Sequence, residues 1–169
     1  MTDLKSAVIE TPDFPETGIL FRDFSPLLRH RFAETLDALD ALLSPDEWPQ
    51  IDAIAGVDAR GFVLGAALAA RRRLGFVPIR KAGKLPPPVQ RLSYKLEYGQ
   101  ATLEMHNGRG RVVLVDDVYA TGGTLQAAAA LCLQAGYELQ ALLVLADLRL
   151  QGRPDQLAGL PVRSVFHYG

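Results

Sequence analysis

The chain has 169 residues, of which 49% are hydrophobic and 22% are charged; this composition fits one globular domain and excludes a disordered chain. Eighteen basic and nineteen acidic side chains leave a net charge of −1, which argues against a protein that coats nucleic acid. A signal pattern and an apolar run of ~18 residues are lacking, and the single cysteine, Cys132, excludes an internal disulfide. We therefore expect a cytoplasmic enzyme that binds neither membrane nor nucleic acid, with Cys132 as a small buried hydrophobe.

The first half of the chain predicts alternating helices and strands. Ser25 and Pro26 suit an N-cap and a first-turn proline. The spacing of apolar residues then predicts a helix over Arg31–Leu43, a turn over 44–50, a strand over Ile51–Gly56, a helix over Gly61–Leu74 and a strand over Phe76–Arg80.

Residues 81–99 interrupt this pattern. They contain three consecutive prolines, several charges and two tyrosines, and such a long irregular stretch is more typical of a lid or binding loop than of a connector. An edge strand over Thr102–His106 is predicted next.

The second half predicts another strand–helix–strand unit and a final strand. Its elements are a strand over Val112–Val115, a helix from about Thr124 to Ala135, a strand over Leu139–Ala146 and a strand over Val162–His167. Strands that alternate with helices predict an α/β domain with a central, mostly parallel sheet flanked by helices.

The strongest functional signal follows the strand Val112–Val115. Asp116 and Asp117 stand at its carboxyl end, and the small-residue loop 120–124 (Ala120, Thr121, Gly122, Gly123 and Thr124) opens the next helix. In open α/β sheets ligands bind beyond the carboxyl ends of strands, and a glycine loop at a helix start presents N–H groups to an anion, usually a phosphate. Two acceptor carboxylates beside it predict a site for a phosphorylated sugar.

Two common phosphate motifs do not match this loop. A P-loop is excluded because Leu85 follows Gly83 and Lys84 and Pro78 occupies the earlier glycine position, and the dinucleotide motif Gly-x-Gly-x-x-Gly is also missing. The structural alternative is that Asp116 and Asp117 are solvated charges at a strand end. It also stays open that one of the two, which the sequence does not identify, only caps the following loop.

A second strand–loop–helix predicts another anion site at Asp58–Gly61. Arg60 has five donors in a rigid fork, which suits a diphosphate, although a surface arginine is the alternative. Two interpretations fit Lys81 and Lys84. They are a solvated charge pair, or they lie at the base of a lid and neutralise the charge of a departing pyrophosphate.

These segments resemble the type I phosphoribosyltransferases, and among them the adenine phosphoribosyltransferase family. The resemblance runs from about Phe14 to the carboxyl terminus, in the family's order. It rests on the segments Phe14–Leu28, Ala55–Phe62, Arg80–Pro86, Ser93–Gly99 and Val112–Thr124.

The resemblance implies a single domain over 1–169, with an N-terminal hood over 1–30 and a mobile catalytic loop over 81–99. It implies transfer of the phosphoribosyl group of phosphoribosyl pyrophosphate to adenine, giving AMP and pyrophosphate in purine salvage. Magnesium is implied mainly through substrate and water near Asp116 and Asp117, not on direct protein ligands. A homodimer and a cis peptide between Asp58 and Ala59 are also implied.

The resemblance assigns roles residue by residue. Glu97, Asp116, Asp117 and Arg60 are the implied catalytic residues. The base is expected at Leu20, Phe21 and Arg22, with Tyr98 and Leu148 as walls. Pyrophosphate is expected at Asp58, Ala59, Arg60, Lys81 and Lys84, and the 5′-phosphate at Ala120, Thr121, Gly122, Gly123 and Thr124.

Two other functions stay open. A transferase for another purine base would need base-contacting residues that differ from those at positions 20–22 and 97–98. A regulator that senses phosphoribosyl pyrophosphate while binding nucleic acid would carry an extra DNA-binding element or a basic face. The run Arg71-Arg72-Arg73 is the one basic cluster that points there, and it also suits a solvated helix end.

Overall fold

The computed structural model describes residues 3–96 and 99–169. Its helices are α1 (Ser25–His30), α2 (Phe32–Asp40), α3 (Arg60–Arg72) and α4 (Gly123–Gln134), with single 3-10 turns at Lys5–Ala7 and Trp48–Gln50. The strands are β1 (Ile9–Pro12), β2 (Leu20–Asp23), β3 (Ala53–Val57), β4 (Gly75–Lys81), β5 (Gln90–Leu96), β6 (Gly99–Met105), β7 (Arg111–Tyr119), β8 (Glu138–Asp147), β9 (Gln156–Leu157) and β10 (Leu160–His167). The chain thus has the predicted α/β organisation.

Eight strands form one sheet in the order β5-β6-β4-β3-β7-β8-β10-β9. The central five, from β4 to β10, are parallel, whereas β5 and β6 at one edge and β9 at the other are antiparallel to their neighbours. The predicted mostly parallel sheet is therefore confirmed.

The central strands are buried on both faces. Val112 and Leu114 of β7 pack in the cluster that includes α4, whereas Val113 and Val115 pack with α2 and α3. This explains why β7 is a continuous apolar run rather than an alternating one. Cys132 of α4 is a buried free thiol, and burial raises its pKa to about 12, which confirms the expected small hydrophobe.

The N-terminal segment forms a separate antiparallel pair, β1 and β2, in which Pro12 faces Leu20 and Ile9 faces Asp23. Below this pair a third cluster packs Phe24 and Leu27 against Ala146 of β8. Phe24 follows β2 directly, so the pair adjoins this cluster and the carboxyl-terminal part of β8. Its role as a hood stays a prediction.

Two local predictions are wrong. Residues 81–99 are not wholly irregular, because β5 pairs along its length with β6. This pairing places β6 inside the sheet, so the strand predicted at Thr102–His106 is not an edge. The helix predicted over Arg31–Leu43 is present but shorter, as α2, and the backbone of Arg31 (φ −138°, ψ 33°) separates it from α1.

The cap of α1 also differs from the prediction. Ser25 is the first residue of the helix and Phe24 is its N-cap, without a side-chain cap bond. The Oδ1 of Asp23, one residue earlier, accepts hydrogen bonds from the N–H (2.9 Å) and the hydroxyl (2.5 Å) of Ser25. Pro26 occupies the first turn as predicted. In the described part of the chain, no helix combines the length and the apolar character needed to cross a membrane.

Helix α3 approaches the sheet closely at two glycines. A Cβ on Gly56 would lie 2.6 Å from the carbonyl oxygen of Gly61 and 2.8 Å from the ring of Phe76, and a Cβ on Gly61 would lie 2.8 Å from the carbonyl oxygen of Val115. A side chain at either position would push the amino-terminal end of α3 away from β3 and β7.

We expect Gly56→Ala to lower the free energy of unfolding by about 1–3 kcal/mol, because overpacking at a backbone contact forces a shift of the helix. Gly75→Ala is the control, since its Cβ would find Ala53 at an ordinary 3.7 Å. Urea unfolding followed by circular dichroism measures both variants. Equal stabilities of the two variants would show that α3 can move at no cost.

Glu47 ties the segment before β3 to β10. Its carboxylate accepts hydrogen bonds from Arg163 at 2.7 and 3.0 Å and from the N–H of Ser44 at 2.8 Å. These bonds, Arg163 first, lower the pKa of Glu47 from 4.5 to about 2. A lowered carboxylate pKa stabilises the fold above the unfolded pKa, and this contribution is lost as the pH falls toward the folded pKa.

Glu47→Gln should therefore lower the melting temperature most at pH 6–7 and progressively less down to pH 3. Melting curves at pH 7, 5 and 3 measure the difference from the parent chain. Glu16→Gln, at an exposed position in the N-terminal segment, is expected to change the melting temperature little at any pH. A constant deficit of Glu47→Gln across the three pH values would contradict the ion pair.

Candidate active site

The candidate site is set by a difference in strand length. Strand β3 ends at Val57, and its pairing with β7 ends where Gly56 faces Val115. Strand β7 continues to Tyr119, paired on one side with β8. Asp116 and Asp117 thus lie within β7, not beyond a strand ending at Val115 as predicted. They occupy the part of β7 that extends past its pairing with β3.

Both aspartates are buried, with 9% and 7% of their surface exposed. The Oδ1 of Asp116 accepts the N–H of Asp117 at 2.9 Å. Burial raises the pKa of Asp116 well above its usual value, and the charge of Asp117 adds to the shift. Burial also raises the pKa of Asp117, while the nearby Arg60 opposes that shift. Two such carboxylates favour a ligand that supplies hydroxyl donors or positive charge.

Arg60 lies across the gap from these aspartates. Its Nε forms an ion pair with Oδ2 of Asp117, yet that buried oxygen has no aligned hydrogen bond within the described residues. The Arg60 side chain is 44% exposed, and its guanidinium lies 6.0 Å from the ring centroid of Phe24. An exposed cation in a poorly aligned pair is free to exchange its partner for an anionic ligand.

The turn before Arg60 is the predicted second anion loop. The peptide between Asp58 and Ala59 is cis, as the resemblance implied. The N–H of Asp58 donates to the carbonyl oxygen of Ile79 at 2.9 Å, and its carboxylate accepts the Nε of Arg80 at 3.2 Å. The loop is therefore held against β4, and Arg60 begins α3.

The loop 120–124 forms the start of α4. Gly122 is its N-cap with φ 94°, a conformation that glycine adopts without strain. The loop and its neighbours line a small cavity of about 70 Å³. The first N–H groups of α4 have no partner inside the helix, so they are suited to an anion of phosphate size. A larger cavity, about 680 Å³, lies between α2 and β10, and none of the predicted site residues that the structure describes lines it.

The hood and Leu148 meet beside this site. Leu148 packs in the cluster of Phe24 and Leu27, and its N–H donates to the carbonyl oxygen of Tyr119 at 2.9 Å. Leu20 in β2 is 42% exposed, and Phe21 packs edge-on against Phe14. Phe24 of this apolar cluster lies 6.0 Å from the guanidinium of Arg60, so the cluster reaches the ion pair of Arg60 and Asp117. That Leu20 and Phe21 face a base there stays a prediction.

Comparison with known proteins agrees with this geometry. The family model for the phosphoribosyl transferase domain matches residues 37–158. The adenine phosphoribosyltransferase of Bdellovibrio bacteriovorus is 54% identical over 147 residues, covering 86% of this chain and 88% of that protein.

The chain belongs to the phosphoribosyl transferase family.

Solved structures extend the match to the whole chain. The adenine phosphoribosyltransferase of Thermoanaerobacter pseudethanolicus superposes with a TM-score of 0.89 at 38% identity, covering 98% of both chains. That of Saccharomyces cerevisiae, solved with an imino-altritol bisphosphate and adenine, gives a TM-score of 0.84 at 36% identity and covers 96% of both chains. The predicted type I phosphoribosyltransferase fold is confirmed by these matches.

The remaining predicted residues differ in their exposure and in their partners. Lys81 and Lys84 are both exposed at the end of β4 and just after it. Arg22 does not point freely toward a base, since its guanidinium stacks on the Tyr168 ring at 4.0 Å and its Nε donates to Glu10 at 3.0 Å. Glu97 and Tyr98 lie outside the described residues.

Sequence reasoning missed the residues that hold the loops of this transferase in place. Tyr119 donates from its hydroxyl to the carbonyl oxygen of Pro154 at 2.5 Å. Asp147 accepts the N–H of Arg149 at 2.9 Å and the guanidinium of Arg153 at 2.8 Å. The sequence carried no signal for this arrangement, because the register that sets Tyr119 opposite Asp147 depends on a shift in the β7–β8 pairing between Val112 and Val113.

The basic run Arg71-Arg72-Arg73 is explained by contacts within the fold. Arg71 pairs with Asp37 at 2.5 Å, and Arg72 pairs with Asp40 of the same helix, α2, while stacking on Trp48. Arg73 ends α3 in the left-handed conformation. Two of the three arginines thus bind α2 and do not form a free basic face.

We expect Asp116→Asn to leave the free energy of unfolding at pH 7 unchanged or higher, because it removes a buried charge whose ionisation burial disfavours. Asp147→Asn is the matched control, since it weakens a satisfied buried ion pair and should cost roughly 1.5–3 kcal/mol. Urea unfolding at pH 7 compares the two. A large loss for Asp116→Asn would mark this carboxylate as structural.

Proposed function

We propose that this chain transfers the 5-phosphoribosyl group of phosphoribosyl pyrophosphate to adenine, releasing pyrophosphate and forming AMP in purine salvage. The observation that carries the proposal is the meeting of Arg60 with Asp117 between two helix-opening loops, one suited to each end of this substrate. The names of the curated relatives support adenine over other bases.

In the proposed reaction a ring nitrogen of adenine attacks the anomeric carbon as the bond to pyrophosphate breaks, and the base loses the proton on that nitrogen. The N–H groups at the start of α4 hold the 5′-phosphate. Asp116 and Asp117 accept the ribose hydroxyls. Their charge also stabilises the positive charge that develops on the sugar ring.

Arg60 stabilises the opposite charge. Pyrophosphate becomes more negative as it leaves, and a guanidinium fork can bind it in a bidentate manner. Because the contact between Arg60 and Asp117 is not an aligned hydrogen bond, substrate can separate the two side chains at little cost. Lys81 and Lys84 add positive charge on the same side.

The residues present fit a magnesium ion. Carboxylate oxygens are hard ligands, and Asp117 Oδ2 is buried without an aligned hydrogen bond within the described residues. Those residues contain no group of three or more His, Cys, Asp and Glu side chains that could hold a metal. Asp116 and Asp117 would hold the ion through water and substrate, and it would supply charge neutralisation at the pyrophosphate.

The base is proposed to lie between the hood and Leu148. Phe21 and Leu148 offer apolar surface, and the backbone near Leu20 offers hydrogen bonds to the purine edge. Glu97 as the residue that handles the proton and Tyr98 as a closing wall remain predictions from the resemblance. The homodimer also remains a prediction from the resemblance, and the cytoplasmic location one from the sequence.

A purine-specificity assay tests the proposal. Purified protein with phosphoribosyl pyrophosphate and magnesium is expected to turn over adenine, and neither hypoxanthine nor guanine at a comparable rate. Turnover of another purine in place of adenine would favour the second transferase reading. No turnover with any base, together with binding of nucleic acid, would favour the regulator.

Asp117→Asn in the same assay should lower kcat by about 100-fold, the size of effect seen when one stabilising group is removed from a developing charge. The control is Asp37→Asn, which removes a surface partner of Arg71 and should leave kcat within about twofold. Equal kcat for the two variants would remove Asp117 from the mechanism.

A further inference from the structure

Glu104 is a buried carboxylate that the proposed reaction does not use. It lies in β6, opposite Arg80 of β4 and Arg91 of β5, and its side chain has no exposed surface. One oxygen, Oε1, accepts the N–H of Lys84 at 2.6 Å and the N–H of Leu85 at 2.7 Å. The other, Oε2, accepts the Nε of Arg91 at 3.0 Å.

These donors keep Glu104 ionised. Burial opposes ionisation, but the N–H groups of Gly83 and Leu85, together with Arg91 and Lys84, outweigh it and lower the pKa from 4.5 to about 2. Successive backbone N–H groups that converge on one point form a concave anion site. Here the anion is the protein's own carboxylate, so the turn 83–85 is bound to the sheet.

The carbonyl group of Lys84 is also held by a hydrogen bond. Arg80 donates from one terminal nitrogen to the carbonyl oxygen of Lys84 at 3.4 Å. Its Nε donates to the carboxylate of Asp58 at 3.2 Å. Lys84 is therefore clamped between Glu104 on its N–H and Arg80 on its carbonyl, and Arg80 connects it to the turn that begins at Asp58.

We propose that Glu104 is a positioning residue for pyrophosphate, which acts by fixing the backbone of Lys84 relative to the loop of Asp58 and Arg60. The inference rests on the proposed function, since it assigns pyrophosphate to this side of the site. It goes beyond that function because Glu104 is not among the residues proposed to contact the substrate, and both of its oxygens are bonded to protein donors. By fixing this turn, Glu104 holds the Lys84 ammonium in position. Less loop and side-chain entropy is then lost when pyrophosphate binds.

A double-mutant cycle tests this link. Glu104→Gln keeps the shape but replaces charge-assisted hydrogen bonds by weaker neutral ones, and Lys84→Met removes the ammonium. Isothermal titration measures the Kd of magnesium pyrophosphate and, separately, of AMP, which lacks the pyrophosphate. We expect Glu104→Gln to weaken pyrophosphate about 10-fold and AMP less than twofold. In the Lys84→Met background, Glu104→Gln should add almost nothing.

Steady-state kinetics provides a second measurement. Glu104→Gln should raise the KM for phosphoribosyl pyrophosphate while the KM for adenine stays within about twofold. Asp52→Asn is the control, because Asp52 also accepts a backbone N–H and a guanidinium, both from Arg111, but at the start of β3. It should leave both ligands unaffected.

Two results would overturn the proposal. One is an equal loss of AMP and pyrophosphate binding in Glu104→Gln, which would indicate general loosening of the fold. The other is full additivity with Lys84→Met, which would show that Glu104 does not act through Lys84.

The parent chain offers a test that needs no variant to fold. Amide hydrogen exchange followed by NMR without ligand should show the amides of Lys84 and Leu85 protected at least about 100-fold over an unstructured peptide. Exchange near the unstructured rate would refute the clamp even if adenine is turned over. The opposite outcome separates the two proposals. If the chain turns over no purine, but its amides are protected and the effects of Glu104→Gln and Lys84→Met on pyrophosphate binding are coupled, the proposed function is wrong and the role of Glu104 is supported.

Discussion

The site depends on one geometric constraint, that strand β7 is longer than its neighbour β3. The chain leaves β3 at Val57 to start α3, whereas β7 continues past Val115 with β8 as its partner on one side. This leaves a gap in the sheet that is lined by carboxylates on one side and by Arg60 on the other. Glycines at 56 and 61 allow α3 to start that close to β7. A side chain at either position would force the start of α3, and Arg60 with it, to shift away from β3 and β7.

Two of the loops around this gap are hydrogen-bonded to strands of the sheet. The turn of Asp58 is bonded to Ile79 and Arg80 of β4, and Leu148 is bonded to Tyr119 of β7. These two loops therefore take their positions from the hydrogen-bonded sheet. The site can therefore be arranged in advance of substrate, as electrostatic stabilisation requires.

The sequence predicted the elements that have a strong local signal. The apolar run Val112–Val115 and the glycine loop 120–124 place one strand, one helix and the phosphate site, because both periodicity and loop chemistry agree there. Strand β5 was not predicted, since three prolines and several charges precede or occupy the segment, and the strand predicted at Thr102–His106 was placed at the edge without this partner. The role of Glu104 was missed as well, because a charged residue between Leu103 and Met105 is expected to face solvent, whereas long-range pairing buries it.

Buried carboxylates in this chain serve two different purposes, and their hydrogen bonds distinguish them. Glu104 and Asp147 have donors on both oxygens, so they gain nothing from a ligand and act to hold loops. Asp116 and Asp117 are almost as buried, yet burial raises the pKa of both, and Asp117 keeps one oxygen without an aligned bond. A buried carboxylate oxygen without an aligned hydrogen bond calls for an explanation, and a bound ligand is one. The buried, strained ionisation of Asp116 and Asp117 therefore supports the proposed ligand position, and the fully bonded Glu104 and Asp147 belong to the framework around it.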